Sequence, residues 1–245
     1  MSLREKWNKV RSGAVDFLFP PRCLCCGKLL TPSDPLALCP LCLSSYALAA
    51  RLPCRHCGRE TADCVCCSEL LVGAGVYRVA KAAAYLPDET NAPAQAVLFA
   101  LKRENSRDAK AFVARELAHA VRRMPEKIDG FTVTFVPRGQ KGIRAYGYDQ
   151  MEDVSRLLAG ALGLPWEKTA VRSGQAKEQK GLDRAARIEN AKKTVLPAPG
   201  LNAAGKRYLV VDDVLTTGAS LAAVADLLRF AGAAEVRAAV FAARS

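Results

Sequence analysis

The sequence predicts an α/β protein whose mainly parallel sheet is flanked by helices and preceded by a small N-terminal cysteine-rich domain. All ten cysteines of the 245-residue chain fall between Cys23 and Cys67. After about residue 73, short β-rich runs alternate with segments of helical periodicity, as in a parallel sheet with crossover helices. Half of the residues are hydrophobic, which is enough for one α/β core and a small module. We therefore expect a leader helix at 1–20, a cysteine-rich domain at 21–72 and an α/β domain at 73–245.

Four C-x-x-C pairs predict a metal-binding domain. The pairs are Cys23 with Cys26, Cys39 with Cys42, Cys54 with Cys57, and Cys64 with Cys67. Each C-x-x-C turn brings two thiolates to one side of a tight knuckle, and two knuckles complete a tetrahedral sulfur shell around Zn²⁺. We therefore expect a double zinc ribbon with one or two structural zinc ions. The spacing leaves the knuckle pairing open between sequential and interleaved order, and Cys66 is an alternative ligand to either of its neighbours.

A disulfide scaffold is the competing interpretation of the cysteines, and it requires an oxidising compartment. The N-terminus gives no support for export, because the apolar run at 15–19 is short and is interrupted by Asp16. No stretch of the sequence reaches the length of a transmembrane helix. We therefore expect zinc rather than disulfides, a cytoplasmic location and no membrane insertion.

The chain is basic, with a formal net charge of +12 at pH 7. A positive surface favours anionic partners such as nucleotides or nucleic acid, but ordinary solvated lysines account for such a charge equally well. Basic residues occur among the cysteines at Arg22, Lys28, Arg51, Arg55 and Arg59, whereas aromatic residues are scarce there. Binding of single-stranded DNA by this region would therefore depend on phosphate contacts and weaken with salt.

The remainder of the chain predicts strands and helices in alternation. In order, these are β-rich residues at 72–85, a helix at 92–101, an amphipathic helix at 111–123, a strand at 131–136, a helix at 151–162, a strand at 208–211 and a helix from 221. Gly163 and Gly232 end the last two helices, and Pro137 ends the strand at 131–136. Each strand end opens a loop at the carboxyl edge of the sheet, where ligands of open α/β sheets bind.

The segment 208–220, YLVVDDVLTTGAS, is more informative about a possible ligand than any other stretch of the chain. It reads as a buried strand, two adjacent acids and a hydroxyl-rich turn that opens a helix, so we expect a strand-to-helix loop at 212–220. The backbone N–H groups and dipole of that helix favour a phosphate. Thr216, Thr217 and Ser220 add hydroxyl donors, and Gly218 allows the backbone to approach an oxyanion closely.

Asp212 and Asp213 would repel a phosphate unless the ligand also carried hydroxyls or a metal ion. The two carboxylates can accept from both hydroxyls of a ribose or hold Mg²⁺ through water. A ribose 5-phosphate fits this arrangement. The simpler alternative is a buried strand followed by a solvated acidic turn.

A second candidate site is the glycine-rich basic loop PRGQKGIRAYGYDQ at 137–150. Its cations are Arg138, Lys141 and Arg144, and a flexible backbone with cations suits a pyrophosphate. A basic solvated loop without a ligand is the alternative. The polar stretch at 172–195 is either a mobile loop or a surface helix.

The segment 208–220 resembles the phosphoribosyl pyrophosphate (PRPP) binding motif of type I phosphoribosyltransferases. The resemblance implies that the acids hold the ribose hydroxyls, that Thr216, Thr217, Gly218 and Ser220 bind the 5-phosphate, and that Arg138, Lys141 and Arg144 bind the pyrophosphate together with magnesium. It also implies that the polar stretch is a flexible loop that closes over PRPP and excludes water. Gln179, Arg187 and Asn190 are polar groups that this loop could deliver.

The wider sequence is similar to the ComF family. The resemblance lies in FLFPPRC at 17–23, the C-x-x-C pairs, LKRENSRDAKAFVARELA from Leu101, GYDQ at 147–150, Gln179-x-x-Leu182 with Arg187 and Asn190, and the PRPP motif. It implies a zinc ribbon joined to a type I phosphoribosyltransferase domain, acting in DNA uptake with single-stranded DNA and a competence helicase as partners. Where the family usually has Arg-Gly-Phe-Asn-Gln, this chain has YGYDQ at 146–150, so a cation is lost and an acid gained.

Two functions follow from the sequence. The first is a PRPP-binding protein of DNA uptake, in which the phosphoribosyltransferase-type domain binds PRPP or a nucleotide and the ribbon contacts DNA. The alternative is an active phosphoribosyltransferase of nucleotide salvage or synthesis without a DNA role. The sequence identifies no acceptor pocket and no catalytic base, so whether the protein is an enzyme stays open at this point.

Overall fold

The computed structural model describes residues 20–31, 37–54, 56–85, 92–173, 189, 191 and 193–244. The strands are β1 (Val76–Ala84), β2 (Phe131–Phe135), β3 (Ala170–Arg172), β4 (Val195–Pro197), β5 (Arg207–Leu215) and β6 (Glu235–Ala243). The helices are α1 (Pro40–Arg51), α2 (Glu69–Gly73), α3 (Ala92–Arg103), α4 (Arg107–Arg122), α5 (Gln140–Tyr146), α6 (Gln150–Leu162) and α7 (Ala219–Phe230). The predicted leader helix at 1–20 lies almost entirely outside the described residues.

Strands β1, β6, β5 and β2 form a sheet in that order, and every neighbouring pair is parallel. β3 and β4 form a separate antiparallel pair. The two central strands, β5 and β6, are rich in valine and alanine and are buried along most of their length, as expected where helices cover both faces of a parallel sheet. The predicted fold class, a mainly parallel sheet flanked by helices, is confirmed.

Each face of the sheet has its own hydrophobic core. On one face, Phe112 of α4 and Leu158 of α6 pack with Phe135 and Phe241. On the other face, residues of α7 and the buried Leu71 of α2 pack against the inward side chains of β5 and β6. As far as Val211, side chains of β5 alternate between the two cores, with Leu209 and Val211 in the first and Tyr208 and Val210 in the second.

The cysteine-rich residues pack against the sheet as well as against one another. Cys23, Cys39 and Cys42 belong to the core of the first face. The ring of Tyr46 stacks on Phe241 of β6 at a centroid distance of 5.8 Å. Buried side chains from both sides of the expected boundary at residue 72 therefore share cores, and the boundary itself stays a prediction.

Three local predictions are wrong. Residues 69–73 form a helix, because Leu71 turns into the core, so the strand predicted at 72–85 begins at Val76. The loop predicted from Asp212 begins only after Leu215, because β5 keeps its pairing with β6 as far as Ala243. Residues 140–146 of the glycine-rich basic loop predicted at 137–150 form α5, which Gly147 ends with φ +77°.

Within the part of the chain that the structure describes, no helix is both long enough and apolar enough to cross a membrane.

Candidate functional site

Asp212 and Asp213 lie near the carboxyl end of β5, where Asp212 pairs with Val240 of β6. The Oδ2 atom of Asp213 is 3.1 Å from Nζ of Lys102 on α3 and accepts a hydrogen bond of 3.2 Å from Nε2 of Gln150 on α6. The Oδ1 atom of Asp212 accepts from the backbone N–H of Asp213 at 2.9 Å. The adjacent acids are therefore held by different elements.

The environment of Asp212 disfavours its charge. Burial and the negative charge of Asp213 raise the pKa of Asp212 from 3.8 to about 8, although Lys102 and Arg172 act in the opposite direction. Burial therefore favours the protonated form of this carboxyl group. A bound cation near the carboxylate or hydroxyl donors from a ligand would favour the ionised form.

A short turn at 216–218 joins β5 to α7. Gly218 has φ +79°, a left-handed conformation that glycine adopts readily, and α7 begins at the next residue. Thr216 is exposed, and the side chain of Thr217 accepts from the backbone N–H of Ala219 at 3.3 Å. The first turn of a helix presents backbone N–H groups and a positive dipole end, so this turn suits an anion.

Arg172, at the carboxyl end of β3, adds a buried cation beside the turn. Its Nη2 donates to Oγ of Ser220 at 2.6 Å, its Nη1 to Oγ1 of Thr194 at 3.1 Å, and its Nε to the carbonyl oxygen of Pro137 at 3.0 Å. Burial lowers the pKa of Arg172, while the charge of Asp212 raises it. The sequence analysis did not identify Arg172, although a basic residue at a strand end beside a polar stretch is the pattern that could have revealed it.

Arg138 takes part in the site through a hydrogen-bond network. Its Nη1 donates to Oε1 of Gln150 at 2.8 Å, and Gln150 in turn donates to Asp213. Its Nη2 donates to the carbonyl oxygen of Lys102 at 3.1 Å. Its guanidinium lies 4.6 Å from the ring centre of Tyr146. Arg138, Gln150, Lys102 and Asp213 therefore form one connected cluster that joins the ends of β2 and β5.

The other predicted pyrophosphate ligands are Arg144 and Lys141. Arg144 is exposed on α5, and the side chain of Lys141 lies outside the described residues. The predicted loop residues Gln179, Arg187 and Asn190 also lie outside the described residues. Lys102 is the further cation that the sequence analysis missed, because only the docking of α3 brings it to Asp213.

Asp149, the acid gained in the YGYDQ segment, has a structural role. It is the N-cap of α6, where Oδ1 accepts from the backbone N–H of Met151 at 3.1 Å. Its Oδ2 accepts from the backbone N–H of Arg138 at 2.6 Å. Its carboxylate therefore fixes the backbone at the start of the basic segment.

The cysteines form two groups in sequential order. Cys23, Cys26, Cys39 and Cys42 form the first cluster, and Cys54, Cys57, Cys64 and Cys66 form the second. Within each cluster the sulfur atoms all lie within 4.8 Å of one another. A tetrahedral Zn²⁺ with Zn–S bonds of about 2.3 Å needs sulfurs about 3.8 Å apart, so both clusters fit the ion. Gly27 and Gly58, with φ +73° and +71°, close the first knuckle of each cluster.

The second cluster contains Cys66 in place of the predicted Cys67. The segment is extended at Cys64, and the backbone N–H of Val79 donates to the carbonyl oxygen of Val65 at 3.1 Å. Side chains alternate along extended backbone, so Cys64 and Cys66 point to the same side. The Sγ atom of Cys67 instead lies 3.7 Å from the carbonyl oxygen of Val65.

The C-terminal part of the chain is similar to known proteins. Residues 168–245 match the family model described as "Phosphoribosyl transferase domain". A 45-residue segment, 18% of the chain, is 51% identical to adenine phosphoribosyltransferases of Mycobacterium avium (strain 104) and Mycolicibacterium paratuberculosis. The corresponding enzyme of Mycobacteroides abscessus is 53% identical over 45 residues. The matched segment spans 25% of the length of each of these relatives.

Solved structures with some similarity include a glutamine PRPP amidotransferase from B. subtilis complexed with ADP and GMP. It is 20% identical, covers 58% of this chain and 30% of its own, and has a TM-score of 0.38. The allosteric regulatory enzyme of purine biosynthesis is 21% identical, covers 54% of this chain and 25% of its own, and has a TM-score of 0.35. The residues matched by the family model, 168–245, include the acidic pair and its turn.

Proposed function

We propose that this protein binds PRPP together with magnesium at the carboxyl ends of β2, β3 and β5, as a phosphoribosyltransferase-type protein. The observation that carries the proposal is the placement of the acidic pair, the turn at 216–218 and the cation Arg172 within the family match at 168–245. The carboxylates can accept hydrogen bonds from ribose hydroxyls, and the backbone N–H groups of the turn and the buried cation can bind a phosphate. A ribose 5-phosphate requires this set of groups.

Different residues of the site would bind the ribose and the 5-phosphate of PRPP. Asp212 and Asp213 would accept from the ribose hydroxyls, which the ionised pair can do once the ligand and its cation compensate their charge. The turn from Thr216 to Ser220 would bind the 5-phosphate, with the Arg172 guanidinium 2.6 Å from Oγ of Ser220. Ligand binding here would replace the ion pair between Asp213 and Lys102.

In this proposal, the cluster around Arg138 and Lys102 would bind the pyrophosphate group of PRPP and stabilise the negative charge that it develops on leaving. Cations fixed before the reaction stabilise such charge without reorganising at the moment of reaction. Magnesium, when bound with PRPP, would neutralise the same phosphates. Transfer to a nitrogen nucleophile would then depend on positioning and electrostatic stabilisation rather than on a catalytic base.

The test of enzymatic activity is pyrophosphate release from PRPP with Mg²⁺ and a panel of nucleobases. The enzyme proposal predicts release by the wild type and its loss in Asp212→Asn, Asp213→Asn, since that variant removes both charges without changing side-chain size. PRPP binding without any release would contradict catalysis and leave a PRPP-sensing role.

A second role, binding of single-stranded DNA during DNA uptake in the cytoplasm, is favoured by the surface beside the cysteine clusters. Arg22, Lys28, Arg51 and Arg59 are all exposed there. The exposed Leu41 and Leu48 of α1 lie in the same region of the chain and offer an apolar contact for a protein partner such as a competence helicase. Structural zinc in one or both clusters would hold this surface in place.

The DNA proposal predicts a marked salt dependence. The affinity for a fluorescent single-stranded oligonucleotide should fall by about tenfold or more between about 50 and 200 mM salt, because the contacts are with phosphates. The combined variant Arg22→Ala, Lys28→Ala, Arg51→Ala should bind more weakly and with a shallower salt dependence. No binding, or binding insensitive to salt, would contradict the proposal.

A further inference from the structure

Lys81 is a buried lysine on β1 whose ammonium group faces the second cysteine cluster. It is 5% exposed. Its Nζ donates to Sγ of Cys64 at 3.0 Å and to the carbonyl oxygen of Cys66 at 2.9 Å, and lies 3.5 Å from Sγ of Cys66. All three donors of the ammonium group thus have an acceptor in the cysteine segment.

A buried ammonium group is costly unless an anion lies beside it. A zinc ion bound by four thiolates carries a net charge of about −2, which is the anion that this position requires. The second cluster fits such an ion, since its closest sulfurs, those of Cys64 and Cys66, are 3.1 Å apart and the cluster lies within 4.8 Å. Lys81 would reduce the net charge of the loaded cluster and orient two of its ligands.

The same lysine lies in register with the candidate PRPP site. Lys81 pairs with Val240 of β6, and Val240 pairs with Asp212 of β5. Side chains two residues apart on a strand share a face. Lys81 lies two residues after Val79 and Asp212 two residues after Val210, so both share the face that carries these two valines. At about 4.8 Å between neighbouring strands, the backbone of Lys81 is about 10 Å from that of Asp212.

A second path leads from the cluster to the phosphate-binding turn. Five residues after Cys66, Leu71 of α2 is fully buried. A Cβ atom added to Gly218 would lie 3.2 Å from Cγ of Leu71, so the leucine packs directly beneath the turn. The backbone hydrogen bond from Val79 to Val65 fixes the same segment against the edge of β1.

We propose that Lys81 is the outer hydrogen-bond donor of a metal site at Cys54, Cys57, Cys64 and Cys66, and that this site holds Leu71 and the Gly218 turn in place. Lys81 is a positioning residue: it acts through the cysteine ligands. The second cluster is then tied to the turn of the candidate PRPP site, whereas the cysteines of the first cluster pack in the core of the opposite face of the sheet. The link to PRPP rests on the proposed function, and the link from the cluster to the turn does not.

The first test is the rate of zinc release to a chromogenic chelator from the full-length, zinc-loaded protein. Lys81→Met should accelerate the release of one ion by about tenfold or more, since loss of an outer partner of metal ligands typically costs 10- to 100-fold in affinity. Cys57→Ser identifies the second-cluster ion, and Lys28→Met, a change at an exposed lysine near the first cluster, should alter neither rate. Unchanged release, or equal acceleration of both ions, would overturn the role of Lys81. If Lys81→Met does not fold, Lys81→Gln is measured by the same criterion.

The second test is hydrogen exchange at the backbone amides of residues 216–221. Cys57→Ser should speed their exchange, whereas Cys26→Ser, the matched change in the first cluster, should not. No change in Cys57→Ser, or the same change in both variants, would overturn the link to the turn. PRPP affinity should fall in Cys57→Ser alone. If the wild type binds no PRPP, the proposed function fails, and the exchange rates still decide this inference.

Discussion

Replacing Gly218 by alanine should destabilise the protein and weaken PRPP binding together. The φ of +79° places residue 218 in the left-handed region, where an L-residue costs about 1 to 2 kcal/mol relative to glycine. The new Cβ would also meet Cγ of Leu71 at 3.2 Å and Cδ1 of Leu215 at 3.4 Å. Crowding of this kind in a packed region adds about 1 to 3 kcal/mol. We therefore expect a loss of about 2 to 5 kcal/mol in the free energy of unfolding.

Gly200→Ala is the matched control for this change. Gly200 has φ +76°, nearly the same backbone conformation, and apart from its chain neighbours no atom of the described residues lies within 4 Å of its added Cβ. Urea unfolding should show a loss of about 1 to 2 kcal/mol in this variant, from the backbone alone. Calorimetry should show PRPP affinity reduced in Gly218→Ala and unchanged in Gly200→Ala. The reasoning is refuted if Gly218→Ala is as stable as the wild type, or if Gly200→Ala loses as much stability.

The pKa of Asp212 gives a pH dependence in the absence of ligand. This pKa is about 8 in the folded protein and near 3.8 in the unfolded chain. Between pH 3.8 and pH 8 the folded state therefore binds a proton that the unfolded state has released. The free energy of unfolding falls as the pH rises through this range. Asp212→Asn should therefore lose less unfolding free energy than the wild type between pH 5 and pH 8, and an identical pH profile would refute this. Cys66→Ser should lose one bound zinc ion by elemental analysis while Cys67→Ser keeps both, and the reverse result would contradict the assignment of Cys66. Tyr46→Phe should be as stable as the wild type or slightly more stable in urea, because Oη of Tyr46 is buried without a hydrogen-bond partner among the described residues, whereas Tyr46→Ala should lose about 3 to 5 kcal/mol. A clear loss of stability in Tyr46→Phe would show that the hydroxyl has a partner.

Local sequence patterns predict the features of this protein whose structure is determined by residues close to one another along the chain. Four apolar residues before the acidic pair, and the helical spacing after Gly218, predict the first half of β5 and most of α7. The knuckle glycines and C-x-x-C spacing predict both cysteine clusters to within one ligand. In each case the decisive interactions lie within a few residues along the chain.

The remaining features depend on tertiary packing and leave little trace in the sequence. Lys102 reads as an ordinary helix-end lysine until α3 docks and brings its ammonium group 3.1 Å from Asp213. Lys81 interrupts a run of small apolar residues, and only the position of the cysteine segment beside β1 explains its burial. The choice of Cys66 over Cys67 depends on which side of an extended segment faces β1. The extension of β5 past Asp212 requires β6 as a partner.

The central claim is that the strand β5, its turn and α7 bind PRPP. Titration calorimetry of the full-length protein with PRPP and Mg²⁺, compared with Asp212→Asn, Asp213→Asn, tests it most directly. We expect saturable binding by the wild type and loss of that binding in the variant, with circular dichroism showing that the variant is folded. No binding by the wild type, or equal binding by both proteins, would contradict the account.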